Sequence, residues 1–186
     1  MRTVASFIFT SLDGFYEGPD GEIDWLPIDA EFNEQAVAQL DQADVLGFGR
    51  ATYEVMADFW PTEQALTADP AIAMRMNEKP KLVFSRSLAS VGWPGTTVVR
   101  GEATELISTI EEGANKDLLI MGSADLTAQL ALAGLLDELR IMIAPVVLGQ
   151  GRSIFKDLQG RVQLELLRIG QLGSGNVTLT YRPQPD

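Results

Sequence analysis

The chain has 186 residues, of which 46% are hydrophobic and 22% are charged, a composition typical of a globular protein. It contains no cysteine and no histidine, which excludes disulfides, the Ser-His-Asp arrangement and the common zinc sites. Its net charge of −12 argues against nucleic acid and anionic membranes as partners, because polyanions would be repelled. We therefore predict a single domain over residues 1–186, with no metal, that binds an anionic small molecule only where arginines gather.

The N-terminal segment predicts a buried strand followed by a long surface loop. Residues 1–10 carry a short apolar run, but no cleavage site is evident, so the run makes a poor signal peptide. No apolar run approaches transmembrane length, and we expect a soluble cytoplasmic protein. Residues 11–27 are rich in glycine and acid and read as a surface loop. Asp13 directly follows the strand, where its side chain can point into a cleft at the carboxyl edge of the sheet.

Residues 45–56 predict a buried strand, a tight turn and the start of a helix. The backbone N–H groups at such a helix start can receive a phosphate, and Arg50 adds a positive charge beside them. The spacing Gly47-x-Gly49-x-x-Thr52 lacks the third glycine of the dinucleotide fingerprint. An ordinary strand–helix turn is therefore the alternative interpretation.

Along the rest of the chain strands alternate with helices, which predicts a largely parallel sheet with helices on both faces. Further strands are predicted at 81–86, 96–100 and 117–123, and helices at 29–43 and 124–133. Residues 62–80 are ambiguous, with a short helix at 71–76 as one interpretation. An amphipathic helix is expected after residue 100, with Leu106, Ile107 and Ile110 inward and Glu105, Glu111 and Glu112 outward. A long strand at 137–148 and a hairpin of 162–171 with 176–181 extend the sheet with antiparallel strands.

Three predicted strands end in arginine or run into one. These arginines are Arg50, Arg86 and Arg100. Because parallel strands end at the same edge of a sheet, we expect the three side chains to lie along one edge. The sequence thus predicts an anion site in an otherwise acidic protein.

The order of several motifs resembles a known family. The motifs are Ser11-Leu-Asp-Gly14, Gly49-Arg-Ala-Thr-Tyr-Glu54, Leu82-Val-Phe-Ser-Arg86, Ile120-Met-Gly-Ser123 with Leu126, Gly134-Leu-Leu-Asp-Glu-Leu139 and Pro145-Val-Val-Leu-Gly-Gln-Gly151. Together they are similar to the dihydrofolate reductase-like superfamily, and within it to the reductase domain found C-terminal to the riboflavin-pathway deaminase. The resemblance covers nearly the whole chain. It implies a three-layer α/β/α fold whose mixed, mostly parallel sheet carries antiparallel C-terminal strands.

The resemblance also implies that NADPH is the cofactor and supplies a hydride. It assigns Gly49, Arg50 and Thr52 to the cofactor phosphates, Ser85, Arg86 and Arg100 to the adenosine end with its 2′-phosphate, and Gly122, Ser123, Ala124 and Leu126 to the pyrophosphate. Folate reductases have Gly-Gly where this chain has Gly122-Ser123. Serine keeps the backbone N–H donors at that turn.

On the substrate side the resemblance leaves two assignments open. Trp25 and Asp29 match the stretch of folate reductases that carries the pterin-binding carboxylate, although Asp29 fits a helix N-cap equally well. The Ser-Leu-Asp-Gly motif favours the riboflavin branch. The substrate of that branch is a phosphoribosylated aminopyrimidine, namely 5-amino-6-(5-phosphoribosylamino)uracil. Asp13, Trp25 and Asp29 are accordingly the candidate substrate-binding residues.

We therefore predict an NADPH-dependent reductase that transfers a hydride to a C=N or C=O bond of a small heterocycle. Asp13, or a water that it orients, is the expected proton source, with Asp29 as the catalytic acid of a folate-type alternative. A non-catalytic NADPH-binding protein is a second alternative. A homodimer is also expected, because residues 139–148 and the hairpin after them supply more β surface than one layer of helices covers, and the resemblance points the same way.

Overall fold

The computed structural model describes residues 3–105, 107, 117–156, 158 and 160–185. The described strands are β1 (Val4–Thr10), β2 (Phe15–Glu17), β3 (Val45–Gly49), β4 (Lys81–Phe84), β5 (Thr96–Val99), β6 (Leu118–Met121), β7 (Glu138–Ile143), β8 (Arg152–Ser153), β9 (Val162–Gln171) and β10 (Val177–Pro185). The described helices are α1 (Ala30–Gln42), α2 (Arg50–Phe59), α3 (Glu63–Ala68), α4 (Pro70–Glu78) and α5 (Ala124–Leu132). None of these helices is both long and apolar enough to cross a bilayer.

Eight of the strands form one mixed sheet in the order β5-β4-β3-β6-β1-β7-β10-β9. The first six of that order run parallel, whereas β10 is antiparallel to β7 and β9 is antiparallel to β10. The predicted mixed, mostly parallel sheet with antiparallel C-terminal strands is therefore confirmed. The strands β2 and β8 form a separate two-stranded sheet. The strand β2 lies inside the predicted surface loop of residues 11–27, and no strand was predicted where β8 lies.

Helices cover both faces of the sheet, as the alternation of apolar residues along the strands requires. On β6, Leu119 packs into one core with Phe48, beneath α1, α2 and α4. Its neighbours Leu118 and Ile120 point the other way and pack against α5. Each fully buried large apolar side chain contributes about 1.5–3 kcal/mol, so the two cores fix how the helices lie on the sheet.

The ambiguous segment 62–80 forms two short helices, α3 and α4. Thr62 caps the first, accepting a hydrogen bond from the backbone N–H of Ala65, and Pro70 occupies the first turn of the second, where its missing N–H is no loss. In the helix predicted after β5, Ile107 is buried as expected. Leu106, Ile110, Glu111 and Glu112 lie outside the described residues.

The strand predicted over residues 137–148 is too long. In the structure β7 ends at Ile143, and Ala144 makes one last bond, from its N–H to the carbonyl of Thr10. Pro145 has no N–H and cannot continue the ladder. The chain then turns toward the loop after β1, where Leu12 donates its N–H to the carbonyl of Val146.

Glu138 on β7 lies between two arginines, and its replacement by glutamine is expected to destabilise the protein in a pH-dependent way. Burial raises the pKa of Glu138, but hydrogen bonds from Arg168 and Arg140 outweigh it and lower that pKa below its usual value of 4.5. The carboxylate therefore stabilises the fold above that value and loses this contribution as pH falls through the folded pKa. We expect Glu138→Gln to lower the free energy of unfolding by about 1.5–3 kcal/mol at pH 7.

Urea denaturation of both proteins at pH 7 and at pH 3 checks this expectation. The difference between wild type and Glu138→Gln should shrink at the lower pH, because below the usual pKa of 4.5 the unfolded chain takes up a proton at Glu138 more readily than the folded protein does. Glu165→Gln is the control, because Glu165 pairs with Arg182 at an exposed site and such pairs contribute little. Equal losses for the two variants would contradict the role given to Glu138.

Candidate functional site

A crevice lies between two neighbouring strands, β3 and β6, because the helices that follow them pack on opposite faces of the sheet. The strands β3 and β6 are adjacent and parallel. The helix α2, which follows β3, packs one core through Tyr53, whereas α5, which follows β6, packs the other through Leu126. In open α/β sheets such a switch point at the carboxyl ends of the strands is where ligands bind.

A cleft of about 260 Å³ occupies this position. Five of the predicted cofactor residues line it, namely Gly49, Arg50, Ser85, Arg86 and Leu126. The sequence did not indicate the other lining residues, which are Phe84, Gly101, Glu102, Ala103, Asp125 and Gln129. Sites for drug-sized ligands measure roughly 300–1,000 Å³, so the cleft has room for only part of a dinucleotide.

The turns that follow β3 and β6 are joined by hydrogen bonds among predicted residues. Ser123 donates its N–H to Thr52 Oγ1 at 3.2 Å, and the N–H of Gly49 donates to Ser123 Oγ at 2.8 Å. Gly122 and Ser123 both have a φ of 55°, and a Cβ at Gly122 would lie 3.3 Å from Thr52 Cγ2. Thr52 and Ser123 thus fix the two helix starts relative to each other, and the N–H of Gly49 is already engaged.

Both helices that begin at the cleft have open N-termini. Among the described residues no side chain caps α2 at Gly49 or α5 at Ser123, whereas Asp29 caps α1 through the N–H of Phe32. The first N–H groups of α2 and α5 have no partner within their helix, and both helix dipoles present their positive ends to the cleft. Two such ends at one cleft suit an anionic ligand.

The three strand-end arginines lie along one edge of the sheet, as predicted. Residues Gly49, Phe84 and Val99 are paired in register across β3, β4 and β5, so the three strands end at the same level of the sheet. The three arginines follow these strand ends within one or two residues. Arg50 contacts Glu54 at 2.9 Å, and Arg86 contacts Glu102 at 2.6 Å. These ion pairs are exposed and therefore weak, so a ligand phosphate can replace either carboxylate at small cost.

Ser85 and Arg100 shape the turn that carries Arg86. Ser85 Oγ accepts the N–H of Leu88 at 3.0 Å, and Arg100 Nη2 donates to the carbonyl of Leu88 at 3.0 Å. The backbone around Arg86 is therefore held from two sides. Ser85 and Arg100 thus hold this turn in place. A direct contact of Ser85 or Arg100 with a cofactor stays a prediction.

Asp13 joins the loop after β1 to the turn after β7. Its carboxylate accepts hydrogen bonds from Ser11 Oγ at 2.7 Å, from the N–H of Leu148 at 3.1 Å and from the N–H of Gly149 at 2.8 Å. The bond from Ser11 is the main cause of a lowered pKa at Asp13. A general acid needs a raised pKa, so the geometry favours an Asp13 that stays ionised and orients other groups.

Asp29 and Trp25 lie on the segment before α1. Asp29 Oδ1 accepts the N–H of Phe32 at 2.8 Å, the main cause of its lowered pKa, so the helix N-cap interpretation is confirmed. Trp25 donates its Nε1–H to the carbonyl of Glu22 at 3.0 Å and packs edge-on against Phe9 with ring centres 5.9 Å apart. Neither residue lines the cleft described above.

A larger open depression of about 710 Å³ lies on the sheet beside α1 and the C-terminal hairpin. It is lined by residues such as Gln39, Asp117 and Arg168, and by none of the predicted site residues. It also lies away from the carboxyl ends of the parallel strands. The smaller cleft is therefore the candidate site.

This fold, a mixed, mostly parallel sheet with antiparallel C-terminal strands and helices on both faces, is dihydrofolate reductase-like. The chain belongs to the RibD C-terminal domain family, which matches residues 2–178. It is 28% identical over 180 residues to the Bacillus subtilis protein YyaP, covering 97% of this chain and 94% of that one.

Solved structures share the fold. A putative riboflavin biosynthesis protein from Shewanella sp. PV-4 superposes with a TM-score of 0.77 at 23% identity, covering 98% of this chain and 99% of that one. The riboflavin biosynthesis reductase Rib7 of Saccharomyces cerevisiae gives 0.64 at 18% identity, covering 98% and 90%. Dihydrofolate reductase from Enterococcus faecalis, complexed with NADP(H), gives 0.64 at 17%, covering 98% and 96%.

Proposed function

We propose that this chain is an NADPH-dependent reductase, a single reductase domain that reduces a C=N or C=O bond of a small heterocycle related to the riboflavin-pathway aminopyrimidines. One observation carries the proposal: two uncapped helix starts and two arginines meet at one cleft at the carboxyl ends of the strands. The family match and the structural likeness to the reductase Rib7 and to a dihydrofolate reductase support it. The cytoplasmic location expected from the sequence stays a prediction.

The residues at the cleft fit a cofactor with several phosphates. The first N–H groups of α2 and α5 and the guanidinium of Arg50 would hold the pyrophosphate, and Arg86 would hold the 2′-phosphate. Bound there, NADPH supplies the hydride. Asp125 in the first turn of α5 also lines the cleft, and its negative charge weakens the attraction of that helix start for a phosphate.

On the substrate side, the proposed task of Asp13 is to orient a water or substrate group that delivers the proton. Its three hydrogen bonds fix the carboxylate between the loop after β1 and the turn after β7. The folate-type alternative would place that task at Asp29, whose carboxylate already caps α1. The non-catalytic alternative predicts cofactor binding without turnover, and NADPH oxidation with a panel of pterins and aminopyrimidines separates it from the proposal.

The cofactor site is tested by replacing Arg86. We expect Arg86→Ala to weaken NADPH binding by about 1.5–3 kcal/mol, the range for a hydrogen bond to a charged group. NADH binding should change little, because NADH has no 2′-phosphate. The measurement is calorimetric titration of both cofactors, and the effect on NADPH should fall as salt rises.

Arg100→Ala is the matched comparison. Because Arg100 holds the turn that carries Arg86, Arg100→Ala should also weaken NADPH binding more than NADH binding. The loss of NADPH affinity should be smaller than that caused by Arg86→Ala. Equal weakening of NADPH and NADH by Arg86→Ala would mean that Arg86 is structural and that the adenosine end lies elsewhere.

We also propose that the protein is a homodimer that pairs through its C-terminal hairpin. The sequence-based expectation of a dimer rested on uncovered β surface at residues 139–148 and in the hairpin after them. The prediction of uncovered surface at residues 139–148 is wrong, because Leu139 and Met142 of β7 are buried within the chain. The exposed apolar side chains lie instead on β9, where Leu166 is 52% and Ile169 is 70% exposed. In the described sheet β9 is an edge strand, and exposed apolar edges are usually paired or covered.

Sedimentation equilibrium at micromolar concentration tests the dimer. Wild type should sediment as a dimer, and Ile169→Lys should shift it to monomer by placing a charge in the contact. Met74→Lys adds the same charge to an exposed position of α4 and should leave the dimer intact. A monomeric wild type would refute this part of the proposal.

A further inference from the structure

Glu102 is the acidic side chain that holds Arg86 at the mouth of the candidate cleft. Its Oε1 accepts a hydrogen bond from Arg86 Nη2 at 2.6 Å, and both residues line the cleft. The side chain of Glu102 is 53% exposed and that of Arg86 is 76% exposed. A ligand that enters the cleft can therefore reach both groups.

The two side chains start from the carboxyl ends of neighbouring strands. Arg86 follows β4 and Glu102 follows β5, which are paired in register from Lys81 to Phe84. The turn between Ser85 and Leu88 is held by hydrogen bonds, so the backbone of Arg86 is fixed. The ion pair can therefore open through side-chain rotation alone, and the carboxylate of Glu102 stays close to any group that Arg86 binds.

The arginine and the glutamate favour different nicotinamide cofactors. A guanidinium donates two parallel hydrogen bonds to the 2′-phosphate of NADPH. A carboxylate in the same region accepts a hydrogen bond from the ribose 2′-hydroxyl of NADH, and repels a 2′-phosphate. Because an exposed ion pair contributes only about 0–1 kcal/mol, a phosphate can displace the Glu102 carboxylate from Arg86. The displaced carboxylate stays nearby and continues to repel the phosphate.

We propose that Glu102 is a specificity-determining residue that limits the preference of this protein for NADPH over NADH. It competes with the 2′-phosphate for Arg86 and offers an acceptor to the 2′-hydroxyl. The chain therefore binds both cofactors with a smaller difference in affinity than Arg86 alone would produce. This inference rests on the proposed function, since it assumes that the adenosine end lies in this cleft.

Calorimetric titration of NADPH and NADH into wild type and Glu102→Gln tests the inference at low salt. Removing one negative charge next to the phosphate should tighten NADPH binding about tenfold. NADH binding should stay the same or weaken, because glutamine is a poorer acceptor for the 2′-hydroxyl. In an Arg86→Ala background the gain for NADPH should shrink, because the competition for the guanidinium is gone.

Glu54→Gln is the matched control. Glu54 pairs with Arg50, so this variant makes the same charge change beside the proposed pyrophosphate site, and both cofactors carry the pyrophosphate. It should change the affinities for NADPH and NADH by the same factor. If Glu102→Gln also changes both equally, or changes neither, the inference is overturned while the proposed function stands. If wild type binds neither cofactor, the proposed function fails and the inference fails with it.

Discussion

Lys81→Met is expected to lower the free energy of unfolding by about 3–5 kcal/mol. Lys81 is 1% exposed, and its Nζ donates to the backbone carbonyls of Asn77 at 3.0 Å, Lys79 at 2.7 Å and Pro94 at 3.2 Å. The ammonium also lies 4.5 Å from the ring centre of Trp93. Methionine fills a similar volume but leaves three carbonyls without a donor, and it removes the ammonium that links the end of α4 to the segment before β5.

Chemical denaturation of both proteins at pH 7 measures this loss. Lys79→Met is the graded control, because Lys79 Nζ makes a single bond of this kind, to the carbonyl of Ala43 at 2.6 Å, and should cost about 1 kcal/mol. A loss for Lys81→Met no larger than that of the control would show that water replaces the ammonium at these carbonyls.

The same residue predicts a pH dependence. Burial lowers the pKa of Lys81 from 10.5 to about 8, so between these values the unfolded chain binds the proton more tightly than the folded protein. The contribution of Lys81 to stability therefore rises with pH in this range. The difference between wild type and Lys81→Met should be larger at pH 9.5 than at pH 7.

Local pattern was enough to predict most of the sheet. The run of residues 45–56 changes from apolar to helical periodicity at Gly49, and the structure changes from β3 to α2 at the same residue. Arg50, Arg86 and Arg100 could be assigned to one edge because parallel strands in one sheet end on the same side. These inferences use only neighbours in sequence and the direction of strands.

Features that depend on distant residues were missed. The pairing of β2 with β8 joins segments of three and two residues more than a hundred positions apart, and such short segments carry no periodicity. The end of β7 depends on contacts with Leu12 and Asp13, although Pro145 was a local signal against a longer strand. The pairing of Arg86 with Glu102 likewise needs β4 and β5 side by side, which the sequence alone did not reveal.

The candidate site was predicted less completely than the fold. Asp125 lines the cleft, but an acid in the first turn of a helix is an ordinary preference and did not mark it as a site residue. Thr52 and Ser123 matched the family pattern, yet in the structure they bond to each other. A motif match identifies which turns meet, whereas the atoms that face the ligand depend on how those turns are joined.

Asp13→Asn is expected to lower kcat about 100-fold while leaving the affinity for NADPH nearly unchanged. Asparagine keeps the size of the side chain but places an amide nitrogen where one carboxylate oxygen now accepts the N–H of Gly149. The turn after β7 then loses one of its bonds to the loop after β1, while the bond between Leu12 and Val146 remains, and the group that Asp13 orients loses its alignment. Steady-state turnover and calorimetric titration of NADPH separate the two effects.

Asp29→Asn is the control, because asparagine caps a helix as well as aspartate does and the bond to Phe32 can be kept. This variant should retain most of the activity. The pH profile of Asp13→Asn gives a second check: a residue that orients other groups leaves the shape of kcat against pH unchanged, whereas the loss of a direct acid removes one limb of the profile. Loss of activity in Asp29→Asn with an active Asp13→Asn would instead establish the folate-type arrangement, with the proton delivered from the start of α1.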